Sequence, residues 1–467
     1  CVDAIRAQIE RGNCYQVNYT IRLAAEGVDD AFRLFGQIAG RARFGAYLDV
    51  GDLAIVSASP ELFFTLDGAR VACRPMKGTA RRGLTAEADD QIADVLRSSE
   101  KNRAENIMIA DMVRNDLGRI AFPGSVRALS LYELEKYPTV WQMTSTVEAR
   151  TSASLDELFA ALFPCASVTG APKTAAMALV AELEDSPRDI YTGAIGWIGP
   201  GPRACFSVAI RTALVETATK RATYGAGGGI VWDSDPFDEY RECLAKTRVL
   251  DTPDVSADSF DLIETLRWSP SDGYFLREFH LERLLASARY FDFAIRRSEV
   301  VEALDDAVKA AASATRVRLL ASAGGRIRTE TGVLPDDSGH ELRLRLARFP
   351  VDDQDPFLYH KTTRRHAYDT AAAGVNDCDD VLLWNRAGFL TESTRSNVIV
   401  RLRGRDFTPP VSSGLLAGTY RRWLFANTDL VEREIRLDDL GDAEAIVLVN
   451  SVRGRQPARL VGSGRGE

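Results

Sequence analysis

The first half of this chain has no histidine. The four histidines of the sequence are His280, His340, His360 and His366. Residues before His280 therefore contain no Ser-His-Asp or Cys-His couple and no histidine metal site, so chemistry there must use carboxylates, lysine, arginine or backbone groups. Cysteine is also sparse. The seven residues Cys1, Cys14, Cys73, Cys165, Cys205, Cys243 and Cys378 are odd in number, scattered, and never spaced as C-x-x-C. That argues against zinc or a disulfide framework and for a reducing, cytoplasmic setting. No uncharged apolar run reaches the roughly 18 residues of a membrane span, and no secretory leader is visible. The net charge is −8 without a strong basic stripe, which sets nucleic acid aside as a partner.

What is present is an ordinary globular composition, 467 residues with 45% hydrophobic and 27% charged, enough for two or three domains. Residues 1–250 and 258–467 read as separate units joined by a short polar linker, 251–257, that contains Pro253. In the first unit, helices are expected over 2–11, 86–97, 103–117 and 171–183. Strand-like runs over 191–198, 204–215 and 221–231 read as an antiparallel meander, closed by a helix over 236–249. The chain begins at Cys1, inside its first helix, and reads as N-terminally incomplete. The second unit is expected to open with a strand over 261–268 and a helix over 280–290. Strands over 381–385 and 397–402 flank a polar loop.

Lys77 stands out. It lies in Arg74-Pro75-Met76-Lys77-Gly78-Thr79, where a strand over 70–73 ends. A free lysine has a pKa of about 10.4 and is no nucleophile at neutral pH. Burial or a neighbouring cation lowers that value and makes the amine reactive. Glu239 and Glu242 are three apart on the expected helix 236–249 and share a face. Glu105, on the helix 103–117, can join them, and a few hard carboxylates with other positions left to water or substrate suit Mg²⁺. Taken singly, Lys77 reads equally as an exposed strand-end lysine and the glutamates as a solvated acidic face. The context weighs the other way. Gly225-Ala226-Gly227-Gly228-Gly229 lets a backbone approach a ligand closely. Arg211, in an otherwise apolar run, calls for an anionic partner. Thr169-Gly170-Ala171-Pro172-Lys173 places amides at a helix start, a common anion site. Together these imply a small, multiply anionic substrate bridged by Mg²⁺.

Six runs then carry a resemblance. They are Gly12-Asn13-Cys14-Tyr15-Gln16-Val17-Asn18, Ser59-Pro60-Glu61-Leu62-Phe63, Arg103-Ala104-Glu105-Asn106, Arg114-Asn115-Asp116-Leu117-Gly118-Arg119, Ser167-Val168-Thr169-Gly170-Ala171-Pro172-Lys173 and Asp233-Ser234-Asp235-Pro236. In this order they resemble the chorismate-utilising enzymes, over nearly all of residues 1–250. The resemblance implies an α+β fold of antiparallel sheets with surrounding helices, and chorismate as substrate. It implies Glu105, Glu239 and Glu242 as Mg²⁺ ligands, Tyr191, Arg211 and Gly229 on the enolpyruvyl side chain, Thr169 and Gly170 on the ring carboxylate, and Lys246 as a further substrate contact. A lysine at the Lys77 position resembles the aminodeoxychorismate synthase component I branch, whereas anthranilate synthases carry a small residue there. On that branch Lys77 would attack ring C2 with Glu61 as general acid, and ammonia would then displace Lys77. Asn102 stands where many relatives have an acid. No G-x-C-x-G elbow is present, so ammonia is expected from a separate glutamine amidotransferase subunit or from solution.

In the second unit, His280-Leu281-Glu282-Arg283-Leu284, His360-Lys361-Thr362-Thr363, Leu390-Thr391-Glu392-Ser393-Thr394-Arg395-Ser396-Asn397 and Gly418-Thr419-Tyr420-Arg421 are each unremarkable alone. In order, they resemble the fold-type IV pyridoxal-phosphate enzymes. By that resemblance Lys361 would hold the cofactor and move protons, and Glu392 would pair with its ring nitrogen. Arg283 would grip the phosphate as a bidentate fork, with amides near Gly418 and Thr419 helping. The resemblance also allows a homodimer through this unit. The two halves together imply conversion of chorismate to 4-aminobenzoate for folate synthesis. The alternatives are supply of aminodeoxychorismate to a secondary metabolite with an aminotransferase second unit, an anthranilate synthase-like activity, or a first half that only binds an amidotransferase.

Overall fold

The computed structural model describes residues 1–39, 42–247, 260–334, 339–373, 375 and 377–461. The chain divides into two units, Cys1–Arg82 with Gln91–Asp258, and Gly83–Asp90 with Ser259–Glu467. The linker expected at 251–257 lies outside the described residues.

Two antiparallel sheets build the first unit. One has the order Phe44–Asp49, Leu53–Ser59, Thr212–Glu216, Arg221–Ile230, Gln16–Ala25, Gly170–Ala171. The other has the order Ala194–Gly199, Arg203–Val208, Leu62–Asp67, Arg70–Arg74, Val140–Arg150, Met76–Arg81, with Arg127–Lys136 also paired to Val140–Arg150. The run over 191–231 is therefore not a single meander. Ala194–Gly199 pairs with Arg203–Val208 in one sheet, while Thr212–Glu216 pairs with Arg221–Ile230 in the other. The chain changes sheets at Arg211, whose φ of +50° lies in the left-handed region that non-glycine residues seldom enter. Val208 and Ala209 are fully buried on the approach, so no polar breaker marks the crossing in the sequence.

The helix Glu100–Gly118 is capped by Ser99, whose side chain accepts from the Asn102 amide at 3.3 Å. Ile109, Ala110, Val113 and Leu117 recur at helical spacing and pack with Phe63, Phe64 and Val147 in one core. Complete burial of Ile109 or Leu117 contributes about 1.5–3 kcal/mol each. That packing sets the roll of the helix. It also brings Asn106 Nδ2 to the carbonyls of Lys77, at 3.1 Å, and Met143, at 3.3 Å. Lys77 itself lies within the strand Met76–Arg81 rather than past a strand end.

The second unit opens with an antiparallel sheet in the order Gly273–Tyr274, Leu262–Ser269, Thr315–Ala321, Ile327–Val333. Helices Arg277–Phe291 and Arg297–Ala307 cover it through Leu281, Leu284, Val300 and Leu304. Its second sheet has eight strands and is mixed, parallel where Leu342–Leu346 lies between Asp380–Trp384 and Gly454–Leu460. The stretch expected as a polar loop contains a strand, Leu390–Ser393, with all four residues buried. Both units thus mix helices with sheets, as the α+β reading expects. Among the described residues no helix is long and apolar enough to cross a membrane.

Candidate active sites

Lys77 projects toward the glycine-rich strand Arg221–Ile230. Its Nζ lies 2.8 Å from the point a β-carbon on Gly229 would occupy, and the Gln16 side-chain amide crowds the same point. Gln16 is 1% exposed, and among the described residues neither polar atom of its side chain has a hydrogen-bond partner. A buried amide without partners is costly unless a ligand completes it. Gln16 lies in the first of the six motif runs, and a glutamine in a strand carries no signal of its own. Gly228 and Gly225 leave room in the same way. A β-carbon at Gly228 would stand 2.9 Å from Glu239 Oε2, and one at Gly225 would strike the Tyr191 ring.

The electrostatics of Lys77 and Glu61 run in opposite directions. Burial, and then the Lys246 ammonium, push Lys77 below the ordinary lysine value against the pull of Glu105, Glu61 and Glu242. Glu61 is 3% exposed. Burial pushes its carboxyl up to about 7, against a Ser167 hydrogen bond and the nearby Lys77. One Glu61 oxygen has no hydrogen-bond partner among the described residues. The pair is therefore biased toward a neutral amine beside a protonated acid, the combination a nucleophile and its general acid need.

The remaining expected residues divide. Lys246 donates to the Gly227 carbonyl and pairs with Glu242, both at 2.7 Å. Glu239 Oε1 accepts from Ser234 Oγ at 2.6 Å. Among the described residues no three acidic, histidine or cysteine side chains gather to hold a metal, so Glu105, Glu239 and Glu242 do not form a closed set. Their chemistry still fits Mg²⁺, which takes one or two protein carboxylates and completes its shell with water and substrate. The opening at Gly228 beside Glu239 leaves room for such a ligand. Thr169 is 3% exposed, but both of its donors are engaged. Its hydroxyl bonds Cys165 O at 2.8 Å and its N–H bonds Ala166 O at 3.3 Å. It can offer an anion no donor in this arrangement, which leaves Gly170 as the donor candidate in that turn. Lys173 is anchored to Asp116 at 2.6 Å and to the Leu162 carbonyl at 3.0 Å, a structural role. Arg211 has no ion pair among the described residues, so its charge is available to an anion. Tyr191 is buried, with the Arg22 guanidinium 5.0 Å over its ring.

In the second unit Lys361 follows a short 3-10 turn, Pro356–Leu358, and its carbonyl accepts from Ile263 N at 2.9 Å. Burial and the Arg283 charge lower its amine to about 8, against Glu264. Glu392 is 4% exposed. It accepts from Tyr368 Oη at 2.8 Å, Leu416 N at 3.0 Å and Asn397 Nδ2 at 3.1 Å. Burial still pushes it up to about 7. The helix Thr419–Asn427 starts from Gly418, where a β-carbon would strike the Asn397 side chain.

Glu264 lies in none of the motifs quoted for this unit. It is 2% exposed and receives Arg283 Nε at 2.9 Å, Arg283 Nη2 at 2.6 Å and His280 Nδ1 at 2.6 Å. Burial raises its carboxyl, but Arg283 and His280 outweigh that and hold it at about 2. His280 Nε2 in turn lies 3.2 Å from Thr419 Oγ1. Glu264 thus takes the Nε–Nη2 side of Arg283, and Nη1 donates to the Ala417 carbonyl at 3.3 Å, so a phosphate would meet only the remaining hydrogens at the outer edge of the guanidinium. Pyridoxal phosphate fits the set: a lysine amine of lowered pKa, a buried carboxylate for a ring nitrogen, amides at a helix start, and the Thr391 hydroxyl, buried without a partner among the described residues.

Residues 1–252 match the profile of the chorismate binding enzymes, and residues 261–461 that of amino-transferase class IV. Aminodeoxychorismate synthase component 1 of Salmonella typhimurium is 42% identical over 247 residues, covering 52% of this chain and 54% of that protein. Anthranilate synthase component 1 1 of Haloarcula marismortui is 38% identical over 253 residues, covering 53% of this chain and 51% of that protein. The chain thus spans about half the length of the curated relatives it matches. An aminotransferase from Mycobacterium tuberculosis, solved in its alpha-ketoglutarate and PMP bound form, is 24% identical with a TM-score of 0.38, covering 43% of this chain and 81% of that one. With its family profile spanning more than half of the chain and the Lys77 site inside it, this protein belongs to the chorismate binding enzymes.

Proposed function

We propose that the first unit converts chorismate and ammonia to 4-amino-4-deoxychorismate, and that the second converts this to 4-aminobenzoate and pyruvate for folate synthesis. The observation that carries the reading is the Lys77–Glu61 pair, an amine of lowered pKa beside a buried acid at about 7, over a strand stripped of side chains at Gly228 and Gly229. Lys77 Nζ bonds to ring C2, the ring double bond shifts, and the C4 hydroxyl leaves as water with the proton of Glu61. The proton released by the lysine nitrogen restores Glu61. Ammonia then bonds to C4, the ring double bonds shift back, and the C2–Nζ bond breaks with its electron pair leaving on the Lys77 nitrogen, which takes up the proton that the bound ammonia loses. The enolpyruvyl group is kept. Arg211, Tyr191 and Gly229 hold its carboxylate, Lys246 assists, and the Thr169–Gly170 turn meets the ring carboxylate. Glu105, Glu239 and Glu242 would hold Mg²⁺, which supplies positive charge at the ring carboxylate.

In the second unit, pyridoxal phosphate supplies an electron sink when bound. Glu392 would hold its ring nitrogen, and the outer edge of Arg283 with amides at Gly418 and Thr419 would hold its phosphate. Lys361 would take the proton from the amine-bearing carbon, the bond from the neighbouring ring carbon to the enolpyruvyl oxygen would break, and the released enol would take up a proton to leave as pyruvate, with aromaticity driving the step. Ammonia comes from a separate glutamine amidotransferase, in keeping with the component 1 name of the Salmonella relative. The seven unpaired cysteines support a cytoplasmic setting.

Incubation of the full chain with chorismate, ammonium, Mg²⁺ and pyridoxal phosphate is expected to give 4-aminobenzoate and pyruvate by mass spectrometry. Without pyridoxal phosphate, 4-amino-4-deoxychorismate should accumulate. Anthranilate as the product overturns the reading.

A further inference from the structure

The Thr169–Gly170 turn is held from behind by an ion pair that none of the sequence motifs contains. Arg188 Nη1 donates to the Val168 carbonyl at 2.8 Å, and Nη2 donates to the Asn18 carbonyl at 2.6 Å. The rest of the guanidinium is fixed by Glu184, with Nε at 3.0 Å from Oε2 and Nη2 at 2.7 Å from Oε1. Glu184 is itself anchored, since Oε1 accepts Thr20 N at 2.9 Å and Thr20 Oγ1 at 2.7 Å. Both side chains are largely out of solvent, at 17% and 5% exposure, so the pair is not a surface salt bridge of negligible worth.

The partners of this pair fall on both sides of the turn. Val168 immediately precedes Thr169, and Asn18 N donates to the Thr169 carbonyl at 2.9 Å. Asn18 and Thr20 belong to the strand Gln16–Ala25, which also carries Gln16. Tyr191 N donates to the Arg188 carbonyl at 2.8 Å. One planar group therefore ties the turn to the Gln16 strand, and the backbone carbonyl of the same residue holds Tyr191. A lysine has the charge but not the fork, and cannot hold two carbonyls and a carboxylate in one plane.

We propose that Arg188 is a positioning residue for the substrate, clamping the Thr169–Gly170 turn onto the Gln16 strand from behind through the Val168 and Asn18 carbonyls, with Glu184 fixing its plane. This rests on the reading that the turn meets the ring carboxylate of chorismate. The clamp touches no reacting atom, and it serves ground state and transition state alike, so its loss should appear in KM rather than in kcat.

The test is steady-state kinetics of the full chain with chorismate and ammonium for wild type, Arg188→Lys and Arg188→Ala. Arg188→Lys is expected to raise KM for chorismate about tenfold with kcat within about twofold, for the loss of two charge-assisted hydrogen bonds. Guanidinium added to Arg188→Ala should return KM toward the wild-type value. If Arg188→Ala does not fold, Arg188→Lys carries the test alone. A lowered melting temperature with unchanged KM makes the pair merely structural and overturns the proposal, as does a fall in kcat at constant KM. If wild type itself neither binds nor turns over chorismate, the substrate reading fails, and the clamp falls with it. Normal wild-type turnover with a wild-type-like Arg188→Lys removes the clamp only.

Discussion

Lys77 Nζ and the Gln16 amide converge on one point, the place where residue 229 would carry a β-carbon if it were not glycine. The glycine at 229 is therefore a requirement for space and not for a turn, since it sits within the strand Arg221–Ile230.

Gly229→Ala should consequently leave the fold in place and remove the chemistry. The added methyl has the Gln16 amide and the Lys77 amine in its way, and both are side-chain ends that can shift. Displacing a nucleophile by about 1 Å costs on the order of 100-fold in rate. The expected result is a loss of that size in kcat/KM for chorismate, with a melting temperature within a few degrees of wild type. Retention of full activity would contradict the placement of Lys77.

The proton inventory of the same site sets its pH profile. Turnover needs Lys77 neutral and Glu61 protonated. The alkaline limb of kcat/KM should therefore fall with an apparent pKa of about 7 as Glu61 ionises. The stability effect has a definite sign. Burial raises the folded Glu61 above its unfolded value, so its favourable contribution is complete below the unfolded pKa near 4.5 and is lost as pH rises through about 7. Glu61→Gln, always neutral, should melt above wild type at pH 8 and close to it at pH 4.5, while losing the acid-dependent step. Thermal melts at both values check this, and a gap that shrinks with rising pH would reverse the assignment.

Chemistry that belongs to a motif was legible in the sequence, and chemistry that depends on what packs behind a motif was not. Lys77, Glu61, Lys361 and Glu392 each lie in a run with its own pattern, which is what singles them out as candidates. The sheet change at Arg211 was hidden because Val208 and Ala209 before it and Ala213 and Val215 after it are apolar and buried, so the hydrophobic pattern shows no break there. Thr169 looked like a donor, and only the folded turn shows its hydroxyl bound to Cys165 O. Glu264 had a signal that went unused. In Leu262–Ser269, residues 262, 264 and 266 share one face by strand periodicity, so a glutamate lies between two fully buried leucines. A carboxylate on that face demands a cationic partner, and the following helix supplies Arg283 and His280.

That buried cluster gives a prediction about the second unit alone. Removing one member of a buried ion pair leaves the other charge without compensation, at a cost of roughly 3–5 kcal/mol. Glu264→Ala should destabilise the second unit by about that amount, and denaturant unfolding would measure it. The folded carboxyl is depressed to about 2, so its contribution is present above the unfolded pKa near 4.5 and fades as pH falls toward 2. The wild-type advantage over Glu264→Ala should therefore narrow between pH 4.5 and pH 2. An advantage that stays constant over that window would mean that packing, not charge, is what Glu264 provides.

Lys361 is the residue on which either activity of the second unit, lyase or aminotransferase, would depend, because its amine at about 8 is half neutral near that pH and can both engage the cofactor aldehyde and move a proton. Mixing the protein with pyridoxal phosphate and trapping with borohydride should give one stable adduct. Its rate of formation should climb as pH rises through about 8, and Lys361→Ala should give none. With 4-amino-4-deoxychorismate supplied, the trapped site and the released pyruvate should titrate together. Incubation with an amino acid and a 2-oxo acid distinguishes the two activities. A lyase exchanges amino groups at well under a tenth of its pyruvate-forming rate, because its proton transfer leads to aromatisation and not to a second half-reaction. Exchange that matches or exceeds pyruvate release would assign the unit to amino transfer while leaving the Lys77 chemistry of the first unit intact.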